Sequence, residues 1–210
     1  MDKTIFVFAG PNGSGKSSII KSFLELRICP TPYICPDAIA VELRNSKIYP
    51  SEYDLYIDAM KQAETMRRNN VLHGHSFSFE TVFSSDEKLK FLRFSKACGF
   101  HIVVIYITTS DYMINFRRVK RRVSEGGHDV PPDKIRSRYL RAMTLMPEVV
   151  AFADEAAVYD NSVDDAPPRL AFQKNADGTM SVLRDAERPE WIGRYLEDPL
   201  TEKGYIFSAL

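Results

Sequence analysis

The residues from Gly10 to Ser17, Gly-Pro-Asn-Gly-Ser-Gly-Lys-Ser, constrain this chain more than any other stretch. They match G-x-x-x-x-G-K-[ST] at every position and follow the apolar run Ile5-Phe6-Val7-Phe8-Ala9. A continuous apolar run, rather than an alternating one, suits a strand buried on both faces of a parallel sheet. A helix over Ser17 to Leu26 is predicted to follow the turn. In that setting the glycines let backbone N–H groups turn inward around phosphate oxygens. Lys16 reaches the β- and γ-phosphates, the Ser17 hydroxyl can ligate Mg²⁺, and the helix N-terminus adds a favourable dipole. A nucleoside triphosphate is the expected ligand, cradled by Gly10, Pro11, Asn12, Gly13, Ser14, Gly15, Lys16, Ser17 and Ser18.

The rest of the chain alternates strands with helices. Short strands are predicted at Tyr33–Cys35, Phe77–Thr81, His101–Ile107 and Ala157–Asp160. Helices are predicted from about Asp37, over Glu52–Asn69, Asp86–Cys98, Asp111–Ser124 and Asp133–Phe152. This order implies βαβ units and a mostly parallel, five-stranded sheet in a three-layer α/β fold. His101–Ile107 is apolar and β-branched enough to be central. Beyond residue 165 the style changes. Arg169–Gln173 and Met180–Leu183 flank Asn175-Ala176-Asp177-Gly178, a hairpin turn expected to extend one edge. A short helix is expected around Trp191. Trp191, Phe91 and Phe94 read as core.

At 210 residues, this fits one domain: a core over 1–165, a lid near 125–132, and a C-terminal hairpin and helix over 166–210. Lys plus Arg number 28 and Asp plus Glu number 28, so the chain lacks the net positive charge that general nucleic-acid binding needs. The cysteines are Cys29, Cys35 and Cys98; without a CxxC pair they suggest neither a disulfide framework nor a thiolate metal site. No apolar stretch approaches the ~20 residues of a membrane helix, and no leader pattern precedes Gly10. A cytoplasmic protein without membrane or nucleic-acid partners is expected.

Two carboxylates stand at predicted strand ends. Asp37 follows the second strand and Glu80 ends the third, and the carboxyl ends of parallel strands face the ligand crevice. One acid can deprotonate an acceptor hydroxyl, and the other can hold the Mg²⁺ shell. Asp37 also suits a helix N-cap, and Glu80 a solvated strand end. The chain has no N-K-x-D guanine-reading motif, and its strongest strand ends in Thr108-Thr109 rather than an acid. Five basic residues fall within Arg117–Arg122, before Gly126-Gly127. Such a run suits a solvated helix face; beside a Gly-rich break it also suits a lid closing arginines over phosphates. His73 and His75 are weak as metal ligands, having no acid or thiol partner at suitable spacing.

Several segments, taken together, resemble the zeta toxin family of P-loop kinases, and especially its compact bacterial members. They are Gly10–Ser17, Pro36-Asp37-Ala38-Ile39-Ala40, Ser78-Phe79-Glu80-Thr81, Arg118-Val119 through Gly126-Gly127-His128-Asp129-Val130-Pro131, and Val158-Tyr159-Asp160-Asn161-Ser162. They cover roughly residues 3–165, and the Gly-Gly-His-Asp-Val-Pro and Tyr-Asp-Asn-Ser segments are the most specific. The family phosphorylates a hydroxyl of UDP-N-acetylglucosamine with ATP and Mg²⁺. The resemblance implies Asp37 as catalytic base, Lys16 and Ser17 as ATP and Mg²⁺ contacts, and Glu80 as the strand-end acid. It also implies Glu64 as a substrate-side acid with Thr81 beside the acceptor, and Arg118 or Arg122 as the lid arginine. The sugar-nucleotide-modifying toxins carry a Gly-Thr-Gly-Arg-like run after the strand-end Glu, where this chain has Thr81-Val82-Phe83-Ser84. A neutralising antitoxin would be a separate chain.

These readings converge on an ATP- and Mg²⁺-dependent phosphotransferase with a small-molecule alcohol acceptor. A kinase for an antibiotic or nucleotide, and a regulatory ATPase acting through a partner, are the rival expectations.

Overall fold

The computed structural model describes residues 3–46, 48–126 and 129–210. The chain begins with β1 (Thr4–Ala9) and α1 (Lys16–Glu25), then β2 (Tyr33–Ile34), α2 (Pro36–Ser46) and α3 (Glu52–His73). Next come β3 (Phe77–Thr81), α4 (Glu87–Ala97), β4 (His101–Thr108), α5 (Tyr112–Ser124) and α6 (Pro132–Phe152). β5 (Glu155–Asp160), β6 (Arg169–Lys174) and β7 (Met180–Val182) precede α7 (Glu190–Ile192), a π-turn (Gly193–Glu197), α8 (Asp198–Thr201) and β8 (Ser208–Ala209). Gly127 and His128, within the expected lid, lie outside the described residues.

The strands form one sheet in the order β2-β3-β1-β4-β5-β6-β7-β8. The first five are parallel, β6 and β7 are an antiparallel hairpin on the β5 edge, and β8 pairs parallel with β7. The sheet therefore has eight strands rather than five plus a hairpin. β8 is only two residues long and is joined through Ser181↔Ser208 and Val182↔Ala209, a long-range pairing with no local periodicity to announce it.

Every parallel strand delivers its carboxyl end to the same edge, and that edge positions the site. One face of the sheet, including Val7, Phe77, Phe79, Val104 and Tyr106, packs with residues of α3, α4 and α6 in the main core. The other face, Phe8, Ile105 and Ile107, packs with Ile20 of α1. Central β4 is buried at every position after His101, which is why it reads as a continuous apolar run. α3 runs four residues past the predicted end, to His73, and stops at Gly74 in the left-handed conformation (φ +71°).

The C-terminal segment joins the main core. Trp191, Ile192, Leu196 and Leu200 are all buried there. Trp191 Nε1 donates to Asp160 Oδ2 (2.5 Å), tying the segment to the end of β5. Phe91 is buried as expected, but Phe94 is 40% exposed. The buried residues of α4 are Leu89, Phe91, Leu92 and Ser95, and that stripe leaves Phe94 on the outer side.

Candidate active site

The turn from Gly10 to Gly15 can close only with glycine at its tight points. Gly10, Gly13 and Gly15 have φ of +141°, +77° and +89°, and a Cβ on Gly10 would fall 1.9 Å from the Ile107 carbonyl oxygen. A Cβ on Gly15 would lie 2.1 Å from Asn161 Nδ2. Asn161 donates instead to the Ser14 carbonyl (2.8 Å), so the end of β5 buttresses the loop. On the far side a Cβ on Gly13 would meet the Asn115 carbonyl of α5 at 2.5 Å.

The loop is built with unspent hydrogen-bonding capacity. Ser14 N–H bonds to Pro11 O and Ser18 N–H to Gly15 O, both at 3.3 Å. No loop bond engages the N–H groups of Gly13, Gly15, Lys16 or Ser17 among the described residues. Buried Asn12 Oδ1, Ser14 Oγ and Asn115 Nδ2 also lack partners. Lys16 Nζ donates to the Gly10 and Pro11 carbonyls at 2.8 and 2.9 Å, so its ammonium lies folded over the loop. Burial pushes its pKa down from 10.5 to about 8. Glu80 opposes that shift most, Arg122 adds to it, and Asp37 opposes it. These four side chains, from α1, β3, α5 and α2, thus share one electrostatic neighbourhood. A turn with free N–H groups, a helix start and a lysine fits a polyphosphate chain.

The sheet register explains why Glu80 is there. Tyr33↔Ser78 and Ile34↔Phe79 pair β2 with β3, so Cys35 falls beside Glu80. Cys35 Sγ donates to Glu80 Oε1 at 3.2 Å. The same sulfur accepts from the backbone N–H groups of Ala38 and Asp37, so Cys35 joins the start of α2 to the Glu80 carboxylate. Burial, then Glu80, pushes the Cys35 thiol up to about 11, keeping it a thiol able to donate. The Tyr33 hydroxyl bonds to both groups, and burial raises its pKa too. Asp37 is exposed in the first turn of α2, one residue inside the helix start at Pro36.

Not every expected site residue joins that neighbourhood. Arg118 donates through Nε to Asp164 Oδ1 (2.8 Å) and through a terminal nitrogen to the Asn161 carbonyl (2.7 Å). It therefore clasps the loop after β5. Arg122, one turn along α5, neighbours Lys16 and Tyr56 electrostatically. Thr81 Oγ1 accepts from Phe83 N–H (3.1 Å) and shapes the turn after β3. Glu64 Oε1 accepts from Arg68 Nε and Nη2 (3.1 and 3.0 Å), which holds its carboxyl below the usual range. Ser17 and Ser18 are exposed at the start of α1.

Sequence reasoning missed Cys35, Tyr33, Asn115 and the role of Asn161. Asn161 had a signal, since it follows a strand ending in Asp160. Asn115 had none, because its approach to the loop depends on how α5 docks.

No protein-family model matches this chain. The chain is 30% identical over 138 residues to an uncharacterised protein of Haemophilus influenzae, a match covering 66% of this chain and 93% of that protein. The chain belongs to that protein's family. Among solved structures, AvrRxo1-ORF1:-ORF2 with ATP matches with a TM-score of 0.70 at 14% identity, over 92% of this chain. The chain spans 63% of that longer one. The PezAT chromosomal toxin-antitoxin system of Streptococcus pneumoniae matches with a TM-score of 0.57 at 14% identity, over 97% of this chain and 84% of that one. The chain therefore shares the α/β fold of these structures. None of the described helices is long and apolar enough to cross a membrane.

Proposed function

We propose that this protein is an ATP-dependent phosphotransferase that moves the γ-phosphoryl group to a hydroxyl of a small molecule. The observation that carries the reading is the shared neighbourhood of Lys16, Asp37, Glu80 and Arg122 at one rim of the Gly10–Ser17 turn. A nucleotide switch has no need of an acid on the acceptor side, whereas a transferase does.

ATP is held by the free N–H groups of the turn and by Lys16, which exchanges the Gly10 and Pro11 carbonyls for phosphate oxygens. Ser17 and Glu80 would hold Mg²⁺, which supplies charge neutralisation on the phosphates. Asp37 accepts the proton of the acceptor hydroxyl as its oxygen bonds to the γ-phosphorus. The bond from that phosphorus to the β,γ-bridging oxygen breaks, and ADP leaves with the electron pair. Lys16 and Arg122 offset the charge spread over the transferring group. Arg118, now on Asp164, is the candidate to close with the lid segment 125–132. Glu64 and Thr81 border the acceptor side. The acceptor offered first is UDP-N-acetylglucosamine, on the family resemblance. The PezAT likeness supports a separate antitoxin partner, and a cytoplasmic location goes with such a system.

The test is ³¹P NMR of wild type and Asp37→Ala with Mg-ATP, with and without UDP-N-acetylglucosamine. A new phosphomonoester resonance in wild type alone is expected. Slow ADP release in both proteins, indifferent to the sugar nucleotide, would remove that acceptor. The same rate across a metabolite panel would remove the transferase reading.

A further inference from the structure

Cys35 stands where a helix start by itself would favour a different residue. Its carbonyl accepts from Ile39 N–H (3.1 Å), the first bond of α2, and Pro36 follows at the first helical position. Residue 35 is therefore the N-cap of α2. Serine, threonine, aspartate and asparagine are preferred there, because a side-chain oxygen meets the next free N–H groups of the helix. The Cys35 sulfur does meet the N–H groups of Asp37 and Ala38, but sulfur is a weak acceptor. An aspartate cap would set a second carboxylate against Glu80.

What the thiol brings is a donor. It reaches Glu80 Oε1 at 3.2 Å. The two strand ends it joins are held together without it. Tyr33↔Ser78 and Ile34↔Phe79 set the register of β2 on β3. Ser78 N–H donates to the Pro32 carbonyl (3.0 Å), and Ser78 Oγ to the Pro30 carbonyl (2.9 Å). Residue 35 thus faces Glu80 whatever its side chain, and the thiol is not what closes the fold here. Glu80 is half-buried at the end of β3, on a side chain with several rotatable bonds. A carboxylate accepts at about four lone-pair positions, so one thiol donor can fix it and leave room for a cation.

We propose that Cys35 is a positioning residue for Glu80: its thiol fixes the carboxylate at the rim of the phosphate turn, so that ATP carrying Mg²⁺ is held more tightly than ATP alone. The link to Glu80 stands on the geometry. Its effect on the metal rests on the phosphotransferase reading, in which Glu80 and Ser17 share Mg²⁺.

Calorimetry of a nonhydrolysable ATP analogue, with Mg²⁺ and with the metal chelated, gives the factor by which metal tightens binding. Cys35→Val keeps the size and removes the donor. It is expected to lower that factor about tenfold, the scale of losing a group that orients a metal ligand. Affinity for the metal-free analogue should stay at the wild-type value. Cys35→Ser restores a donor and should recover most of the factor. In a Glu80→Gln background, Cys35→Val should cost nothing further, because the thiol acts only through that carboxylate. An unchanged factor in Cys35→Val, equal losses with and without metal, or an additive double variant overturns the proposal. Should Cys35→Val fail to fold, Cys35→Ala carries the same comparison. A wild-type chain that does not bind the analogue, or a factor untouched by Glu80→Gln, would instead sink the phosphotransferase reading. Infrared spectroscopy then decides the link by itself. The S–H stretching band that vanishes in Cys35→Ser should move to higher wavenumber in Glu80→Ala, and an unmoved band means that the thiol does not hold Glu80.

Discussion

The turn between β1 and α1 and the segment from Glu190 to Thr201 handle polar groups in opposite ways. The turn leaves Asn12 Oδ1, Ser14 Oγ and nearby Asn115 Nδ2 without partners and sinks the Lys16 ammonium deep enough to lower its pKa to about 8. In the C-terminal segment, Trp191 meets Asp160, and Glu197 takes both Arg184 and Arg188, although Arg188 Nε stays unpaired. Its apolar residues Ile192, Leu196 and Leu200 are fully buried. The first region leaves buried polar atoms unpaired at the turn. The second contributes packing and meets the end of β5 through Asp160.

That contrast can be broken by substitution. The largest effect is expected at the turn. Lys16→Met should lower kcat/KM for ATP by about 10³-fold, the scale of losing one oriented charge at a transferring phosphoryl group. Gly15→Ala should also lower it, by a smaller factor, because a side chain is strained at φ +89° and its Cβ would displace Asn161 Nδ2 from the Ser14 carbonyl. Full activity in either variant would show that the turn is not the nucleotide site.

Next comes Asp37→Asn. Phosphoryl transfer should fall about 10²-fold or more while ATP affinity, read by calorimetry, stays at the wild-type value. Parallel loss of both would place Asp37 in nucleotide binding rather than proton transfer.

Trp191→Phe should act on stability alone. Losing a hydrogen bond to a carboxylate costs about 2 kcal/mol, which lowers the thermal midpoint by about 4–8 °C in a chain of this size. KM for ATP should not move. A changed KM with an unchanged midpoint would give the C-terminal segment a part in the site.

The smallest effect is a pH dependence. Lys16 has a folded pKa of about 8 against an ordinary 10.5. Below about 8 it is charged in both folded and unfolded chains, and its burial costs stability. Between about 8 and 10.5 only the unfolded chain binds the proton, so the free protein gains stability as pH rises. ATP affinity should move the other way, with kcat/KM for ATP falling by up to about tenfold per unit above this pKa. A flat profile across that window would mean the ammonium is not the group that meets the phosphates.

Much of this molecule can be read from local pattern. The Gly10–Ser17 turn, the central strand His101–Thr108 and the order of helices and strands follow from spacing, because each signal lies within one element. The strand-end placement of Asp37 and Glu80 follows from the same reasoning, since parallel strands must present their carboxyl ends together. Tertiary structure alone decided the rest. Cys35 meets Glu80 only because β2 and β3 pair in one particular register. Arg118 is clasped by Asp164, 46 residues away, and Asn161 reaches Ser14 across 147. β8 exists only through its pairing with β7, and Phe94 is exposed because α4 turns a different stripe inward. Arg67 reads as an ordinary polar helix residue until the packing of α3 buries it over Phe79. Periodicity within an element shows which side chains share a face; which partner that face meets depends on contacts between distant segments, and those have no local signature.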